Sequence, residues 1–342
     1  MASVCRHAVF SGIVCVLAAS CSAPKGDPGD LEAGRLAPEF MARQAEPILP
    51  LPPQNLPAGR VALGRRLFHE PALSGAQRRI SCATCHPLER GGTAGDGGPG
   101  IAVGEHDYDI PTVFNSAGQF AYFWNGRTQS LEGVIQSKVR SENALDAEWS
   151  EALARLEGDA SYQEDFRRAY PESGISESAV ENALSTFLQS LVTPNADFDR
   201  FLNGESLPEP AREGYQLFKD LGCVRCHQGA GVGGNLYASF QSYLESRVPA
   251  KTSDLGRFNV TGNEAHRYQF KVPGLRNVAV TAPYFHDGSA ETLDAAVELM
   301  ARHQLGRELR AGEISRIVAF LESLTGWYDE RLLGARREQA TE

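Results

Sequence analysis

The sequence predicts an all-α chain of 342 residues built from two copies of one helical unit. Three observations predict it. Two strings, Cys82-Ala83-Thr84-Cys85-His86 and Cys223-Val224-Arg225-Cys226-His227, repeat one unusual pattern. Landmarks after each string recur at a constant offset of 162 residues, from Asn115 to Asn277 and from Ser130 to Thr292. Apolar residues fall at helical spacing, as in Leu293, Ala296, Val297 and Met300, while alternating runs that mark strands are few and short.

The length leaves room for two ordinary domains with sizeable cores. Lys and Arg number 33 and Asp and Glu 43, a formal net charge of −10. No basic run offsets it, so nucleic acid is not an expected partner. A composition 42% hydrophobic and 22% charged is that of a globular chain, not a disordered one. Seven cysteines are too few for a disulfide scaffold. Four lie in the two strings and the others, Cys5, Cys15 and Cys21, near the start.

Arg6 and His7 precede an apolar run from Ala8 to Ala19, the length of a signal-peptide core. A membrane-spanning helix needs about 20 apolar residues, which this run does not reach. It ends in Leu17-Ala18-Ala19-Ser20-Cys21, which resembles a bacterial lipoprotein processing site. Residues 1–21 are therefore expected to be a signal peptide, with Cys21 a candidate lipid anchor to the outer membrane. Ordinary cleavage nearby, without a lipid, is the alternative. Residues 22–56 are proline-rich and read as a tether. Proline does not fit a helix interior, so folded structure is expected to begin near Pro57.

The spacing within the two strings has a chemical reason. Cysteines three apart on a helical turn can form thioethers to both vinyl groups of a haem, and the next histidine then lies under the iron. A four-cysteine zinc site and a redox dithiol are the rival readings. The wide separation of the pairs, the histidine after each, and the lack of a βαβ setting argue against both. Two covalent haem c groups are expected, one on Cys82, Cys85 and His86, the other on Cys223, Cys226 and His227. Such haem is attached outside the cytoplasm, in keeping with export.

The repeat extends around both strings. Gly64-Arg65-Arg66-Leu67-Phe68 precedes the first and Gly214-Tyr215-Gln216-Leu217-Phe218 the second. Pro111-Thr112-Val113-Phe114-Asn115 follows the first and Pro273-Gly274-Leu275-Arg276-Asn277 the second. Trp124-Asn125-Gly126-Arg127 then matches His286-Asp287-Gly288-Ser289. Ser130 and Thr292 suit helix N-caps. Two haem domains are expected, residues 57–205 and 206–335, the second carrying an insertion near residues 228–270. Met300, on the apolar face of its helix, is the candidate axial ligand of the second haem. Lys138 stands in its place in the first copy and reads as a solvated surface residue. No Met or His lies between Leu131 and His227. One haem is thus built for electron transfer, with His/Met ligation raising its potential, and the other is open to water, a movable ligand or substrate.

With Phe123-Trp124-Asn125-Gly126-Arg127 and Thr281-Ala282-Pro283-Tyr284-Phe285-His286-Asp287-Gly288 added to these motifs, the chain resembles the bacterial di-haem cytochrome c peroxidases, a family that includes the MauG-type enzymes. The resemblance covers about residues 57–326. It implies two cytochrome c-like domains facing each other across a calcium-bearing interface. It implies that His86 is the proximal ligand of a peroxidatic haem, that His227 and Met300 hold a high-potential haem, and that Trp124 lies between the two. Calcium would be held by Asp109, where the family commonly has Asn, and by the carbonyls of Thr281 and Pro283. His106 would cap the peroxidatic iron until the other haem is reduced. Gln136 and Asp146, after a two-residue insertion, would match the family's distal Gln and Glu, with Asp146 moving the proton. His69 and His266 are read as surface residues, His286 as packed and hydrogen-bonded, and His303 as the replacement for Met300.

The implied activity is reduction of hydrogen peroxide to water with electrons from a small c-type cytochrome or cupredoxin, in the periplasm of a Gram-negative bacterium. A homodimer is a candidate assembly. Two rivals are weighed: a MauG-like oxidase acting on a protein or small molecule, and a non-catalytic di-haem carrier. The MauG branch has tyrosine in place of the methionine, so Met300 argues against the first. The absent methionine in the first copy argues against the second.

Overall fold

Among the described residues helices dominate, and the strands form two short pairs. The computed structural model describes residues 46–75, 79–94, 108–247 and 254–334. The expected signal peptide, Cys21, most of the expected tether and His106 lie outside the described residues. In chain order the helices are α1 (Ala58–Phe68), α2 (Cys82–Cys85), α3 (Leu131–Arg140), α4 (Trp149–Glu157), α5 (Ala160–Ala169) and α6 (Glu177–Ser190). There follow α7 (Asp197–Leu202), α8 (Glu209–Asp220), α9 (Gln241–Ser246), α10 (Phe258–Thr261), α11 (Leu293–Leu305) and α12 (Ala311–Glu322). β1 (Tyr237–Ser239) pairs antiparallel with β2 (Gln269–Lys271), Tyr237 opposite Lys271. β3 (Trp327–Tyr328) pairs antiparallel with β4 (Arg331–Leu332).

The apolar residues of these helices gather into separate cores. Leu63, Leu67 and Phe68 of α1 pack with Trp149, Leu156, Phe166, Leu184 and Phe187. Tyr215 and Phe218 of α8 pack with Phe198, Ile317, Phe320 and Leu324. Each such side chain contributes about 1.5–3 kcal/mol of burial. One glycine in each core sets a close helix contact. A Cβ on Gly64 would collide with the Ala183 carbonyl of α6, and a Cβ on Gly214 with the Arg316 carbonyl of α12. A third, aromatic cluster of Phe240, Tyr243 and Phe270 gathers Tyr108, Trp124, Phe285 and Met300 around it.

The landmarks at the 162-residue offset adopt matching local structure. The Ser130 hydroxyl accepts from the Gly133 N–H (3.1 Å) and caps α3, and the Thr292 hydroxyl accepts from the Ala295 N–H (3.2 Å) and caps α11. Tyr122 bridges Thr128 as Tyr284 bridges Ala290. Asn115 and Asn277 both have left-handed backbone, at φ 52° and 64°. The two asparagines meet at buried Thr193. Each side-chain amide donates to the Thr193 hydroxyl, at 2.8 and 3.0 Å, and the Thr193 N–H donates to Asn115 Oδ1 at 3.0 Å.

The end of the expected tether is packed, not loose. Ile48 is fully buried in the second core. The Pro47 carbonyl accepts from the Gly229 N–H, and the Leu49 carbonyl from Arg276. The Tyr215 hydroxyl donates to Glu46. Proline bars a helix here but not an extended strap held by its carbonyls.

Candidate functional site

The first Cys-x-x-Cys-His string folds as predicted, on one helical turn. Ser81 caps α2, its N–H donating to Thr84 Oγ1 at 3.0 Å, and the His86 N–H closes the turn on the Cys82 carbonyl at 2.9 Å. The chain then turns back through Gly91 and Gly92, both with positive φ. This brings the Gly92 carbonyl 3.0 Å from His86 Nδ1. A neutral imidazole that donates from Nδ1 keeps its Nε2 lone pair free for a metal. In the second string Cys223–Arg225 forms a single 3-10 turn after Gly222. His227 closes it on the Cys223 carbonyl at 3.0 Å. His227 Nδ1 is buried against the Val232 and Pro273 backbone, without a hydrogen bond of normal geometry.

Burial sets the protonation of these groups. It lowers both His86 and His227 to about 4, so both rings are neutral at pH 7. It pushes the Cys82 thiol up to about 12 and the Cys223 thiol up to about 11. All four cysteines are half-buried and unpaired. Among the described residues no three His, Cys, Asp or Glu side chains gather as a metal site. The four-cysteine zinc arrangement is therefore not formed. Reduced thiols three residues apart, each pair followed by a half-buried neutral imidazole, fit thioether-linked haem.

Trp124 is held from three directions. Its indole N–H donates to the Asp109 carbonyl at 2.9 Å. Its ring meets that of His286 edge-on at 6.3 Å, and its carbonyl accepts from the Lys271 N–H at 2.8 Å. Met300, on α11, packs in the same aromatic cluster. The Asp109 N–H donates to the His286 carbonyl at 2.7 Å, beside the segment that carries Thr281 and Pro283. The Asp109 carboxyl is half-buried, and burial pushes it up to about 7, the Ile110 N–H opposing.

Gln136 and Asp146, the expected distal pair, both occupy exposed positions. Leu131, Ile135 and Val139 form the buried stripe of α3, and that phase turns Gln136 outward. Its amide donates to Glu177 at 3.3 Å. Asp146 is exposed, on a left-handed turn at φ 50°. Lys138 corrects the expectation in the other direction. It is half-buried rather than solvated, its ammonium 5.4 Å from the Phe123 ring centre. Burial, and then Arg127, push its pKa down, while Cys85 pushes it up.

His69 and His266 are held locally, near Arg65 and Thr261, as surface residues. His303 lies 3.3 Å from Ser242. His286 is buried and packed as expected, but its partner was not foreseen. Asp254 Oδ2 lies 2.6 Å from His286 Nε2, and Asp254 Oδ1 accepts from the Tyr108 hydroxyl at 2.7 Å. Asp254 sits in the insertion, where no repeated landmark could mark it.

The fold and its two turns define a class: helical proteins with paired c-type haem-attachment sites. The family model for di-haem cytochrome c peroxidase matches residues 58–207. The chain is 42% identical to cytochrome c peroxidase Ccp of Escherichia coli over 83% of its own length and 62% of that protein. It is 40% identical to cytochrome c551 peroxidase of Nitrosomonas europaea, covering 82% of this chain and 84% of that one. Among solved structures, a MauG-like protein associated with microbial copper homeostasis superposes with a TM-score of 0.70 at 25% identity, over 81% of this chain and 93% of the other. The chain belongs to the di-haem cytochrome c peroxidase family, and that membership implies two c-type haems.

Proposed function

We propose that the protein reduces hydrogen peroxide to water with electrons from a small c-type cytochrome or cupredoxin. Two electrons and two protons convert one peroxide into two waters. The observation that carries this reading is the difference between two similarly built sites. Each has a half-buried, neutral histidine beside paired thiols, yet the helix after one presents Met300 and the helix after the other Lys138. Haem supplies the one-electron chemistry when bound. Cys82, Cys85 and His86 hold the peroxidatic group, and Cys223, Cys226, His227 and Met300 the high-potential group. Residues 57–205 and 206–335 form the corresponding domains, two copies of one unit. Trp124, fixed by its three anchors, lies between them. His106 gates the first site.

One calcium ion bound by Asp109, Thr281 and Pro283 ties the two halves together. In support, the Asp109 carboxyl is half-buried and makes no ion pair among the described residues. In this reading the protein is exported to the periplasm of a Gram-negative bacterium, is anchored to the outer membrane through Cys21, and works as a homodimer. Mass spectrometry of the mature N-terminus tests the anchor. Light scattering tests the dimer.

The deciding experiment uses the holo-protein. Two covalent haems per chain and peroxide-dependent oxidation of a reduced small c-type cytochrome are expected. One haem per chain, or no peroxide-dependent turnover in either the oxidised or the one-electron-reduced form, refutes the reading. Likeness to the MauG-like structure favours a second reading, oxidation of a protein or small molecule. Consumption of peroxide without oxidation of the cytochrome would select it.

A further inference from the structure

We propose that Lys138 is a distal cation of the first haem site and donates an N–H to small anions that reach the open side of the His86 haem. The inference rests on the di-haem reading of the two turns and does not require peroxidase turnover.

Position is the first argument. Helices α3 and α11 start from matching caps, Ser130 and Thr292, and Lys138 and Met300 lie equally far beyond them. Phe123 and Phe285 are also matched, both in left-handed conformation at φ 63° and 71°. The Lys138 ammonium lies over Phe123, and Met300 shares the aromatic cluster of Phe285. Lys138 therefore stands to the first site as Met300 stands to the second.

Charge is the second argument. Lys138 is half-buried, its ammonium 5.4 Å from the centre of the Phe123 ring. It pairs with no carboxylate among the described residues. Arg127 adds a second cation, its guanidinium 3.8 Å from the centre of the same Phe123 ring. Two cations around one ring, one of them without a counter-ion, make a place where a small anion is stabilised. A half-buried charge is costly unless it is paired, and a charge-assisted hydrogen bond to an entering anion supplies the pair. An acceptor such as Gln136 cannot serve here, because it faces the opposite side of α3.

The test uses azide and the ferric His86 haem of the holo-protein, in the fully oxidised and the one-electron-reduced forms. Lys138→Gln is expected to weaken azide binding at least tenfold, and Lys138→Arg to restore most of it. Lys138→Met is expected to give the first haem the low-spin spectrum and raised potential of thioether ligation, making it a twin of the second. Retention of two covalent haems checks that each variant has folded. Azide affinity within twofold of wild type in Lys138→Gln overturns the proposal, as does a wild type that binds azide in neither form. An unchanged spectrum in Lys138→Met overturns it as well. A wild type that lacks peroxidase activity but shows these azide and spectral effects would sink the peroxidase reading and leave the assignment of Lys138 standing.

Discussion

Replacing Asp199 by alanine should unfold the second core before the first, and the structure gives the size of the effect. Asp199 and Arg276 form a buried pair, their side chains 7% and 1% exposed. Two parallel hydrogen bonds join them, at 3.0 and 2.7 Å. Arg276 also donates to the Ala230 and Leu49 carbonyls, so one guanidinium holds α7, the turn after the second haem string and the strap at residues 46–49. Asp199→Ala leaves that cation buried without its counter-ion, which costs about 3–5 kcal/mol. It also removes the acceptor of the Ala196 N–H at the start of α7, worth about 1 kcal/mol. At about 2–4 °C per kcal/mol for a large domain, a loss of about 5 kcal/mol in all lowers the midpoint by about 10–20 °C. Far-UV circular dichroism of the holo-protein during heating and in urea reads the change. Limited proteolysis reads release of the strap. The double variant Asp199→Leu/Arg276→Met removes both charges and should recover most of the loss. A single variant within about 1 kcal/mol of wild type, or a double variant no better than the sum of the singles, would refute the reasoning.

Met300→His should lower the potential of one haem strongly and leave the other nearly unchanged, because thioether ligation favours the ferrous state; redox titration with both potentials unmoved would make Met300 a core residue only. Calcium removal with EGTA should slow electron passage between the haems while both stay attached, and stopped-flow traces that are unchanged, with no calcium binding back, would mean the Asp109 site is absent. Lys271 is buried and its ammonium donates to Gln119 at 2.7 Å, yet burial pulls it down to about 8 from 10.5. The unfolded chain holds that proton up to about 10.5, so folding is penalised below pH 8 and the penalty fades as the pH rises. Lys271→Met should therefore stabilise the protein at pH 7 by about 1–2 kcal/mol, the lost hydrogen bond offsetting part of the gain, and by less at pH 10. Urea midpoints that differ equally at both pH values would contradict this.

What the sequence revealed and what it hid divide by range. The caps at Ser130 and Thr292 and the turns of the two Cys-x-x-Cys-His strings depend on residues a few positions apart, so they were legible. Ile48 was not. A proline-rich segment reads as a tether, and its burial depends on Phe198 and Phe320, which are far away in the chain. Gln136 matches the family's distal Gln only through a two-residue insertion after Leu131, whereas the stripe of Leu131, Ile135 and Val139 fixes which way α3 faces. That stripe was present in the sequence and would have turned Gln136 outward and Lys138 inward. Asp254 had no such signal, since it lies in the insertion and meets His286 only through the folding of that insertion over Phe270.

The anchoring of Trp124 links the scaffold to what the sites can do. Its indole N–H, its ring edge and its backbone carbonyl are held by Asp109, His286 and Lys271, three segments distant in sequence. Two of these are in turn fixed by neighbours. His286 is held by Asp254, which Tyr108 also bonds, and Lys271 lies in β2, paired with β1. A side chain so constrained has little rotamer freedom left to lose. The insertion thus helps to immobilise Trp124, which the proposed reading puts between the two haems, while Met300 and Lys138 stand at equal distance from matching caps. On the proposed function, rigidity in that frame would let one side chain on each helix decide which site carries electrons and which remains open.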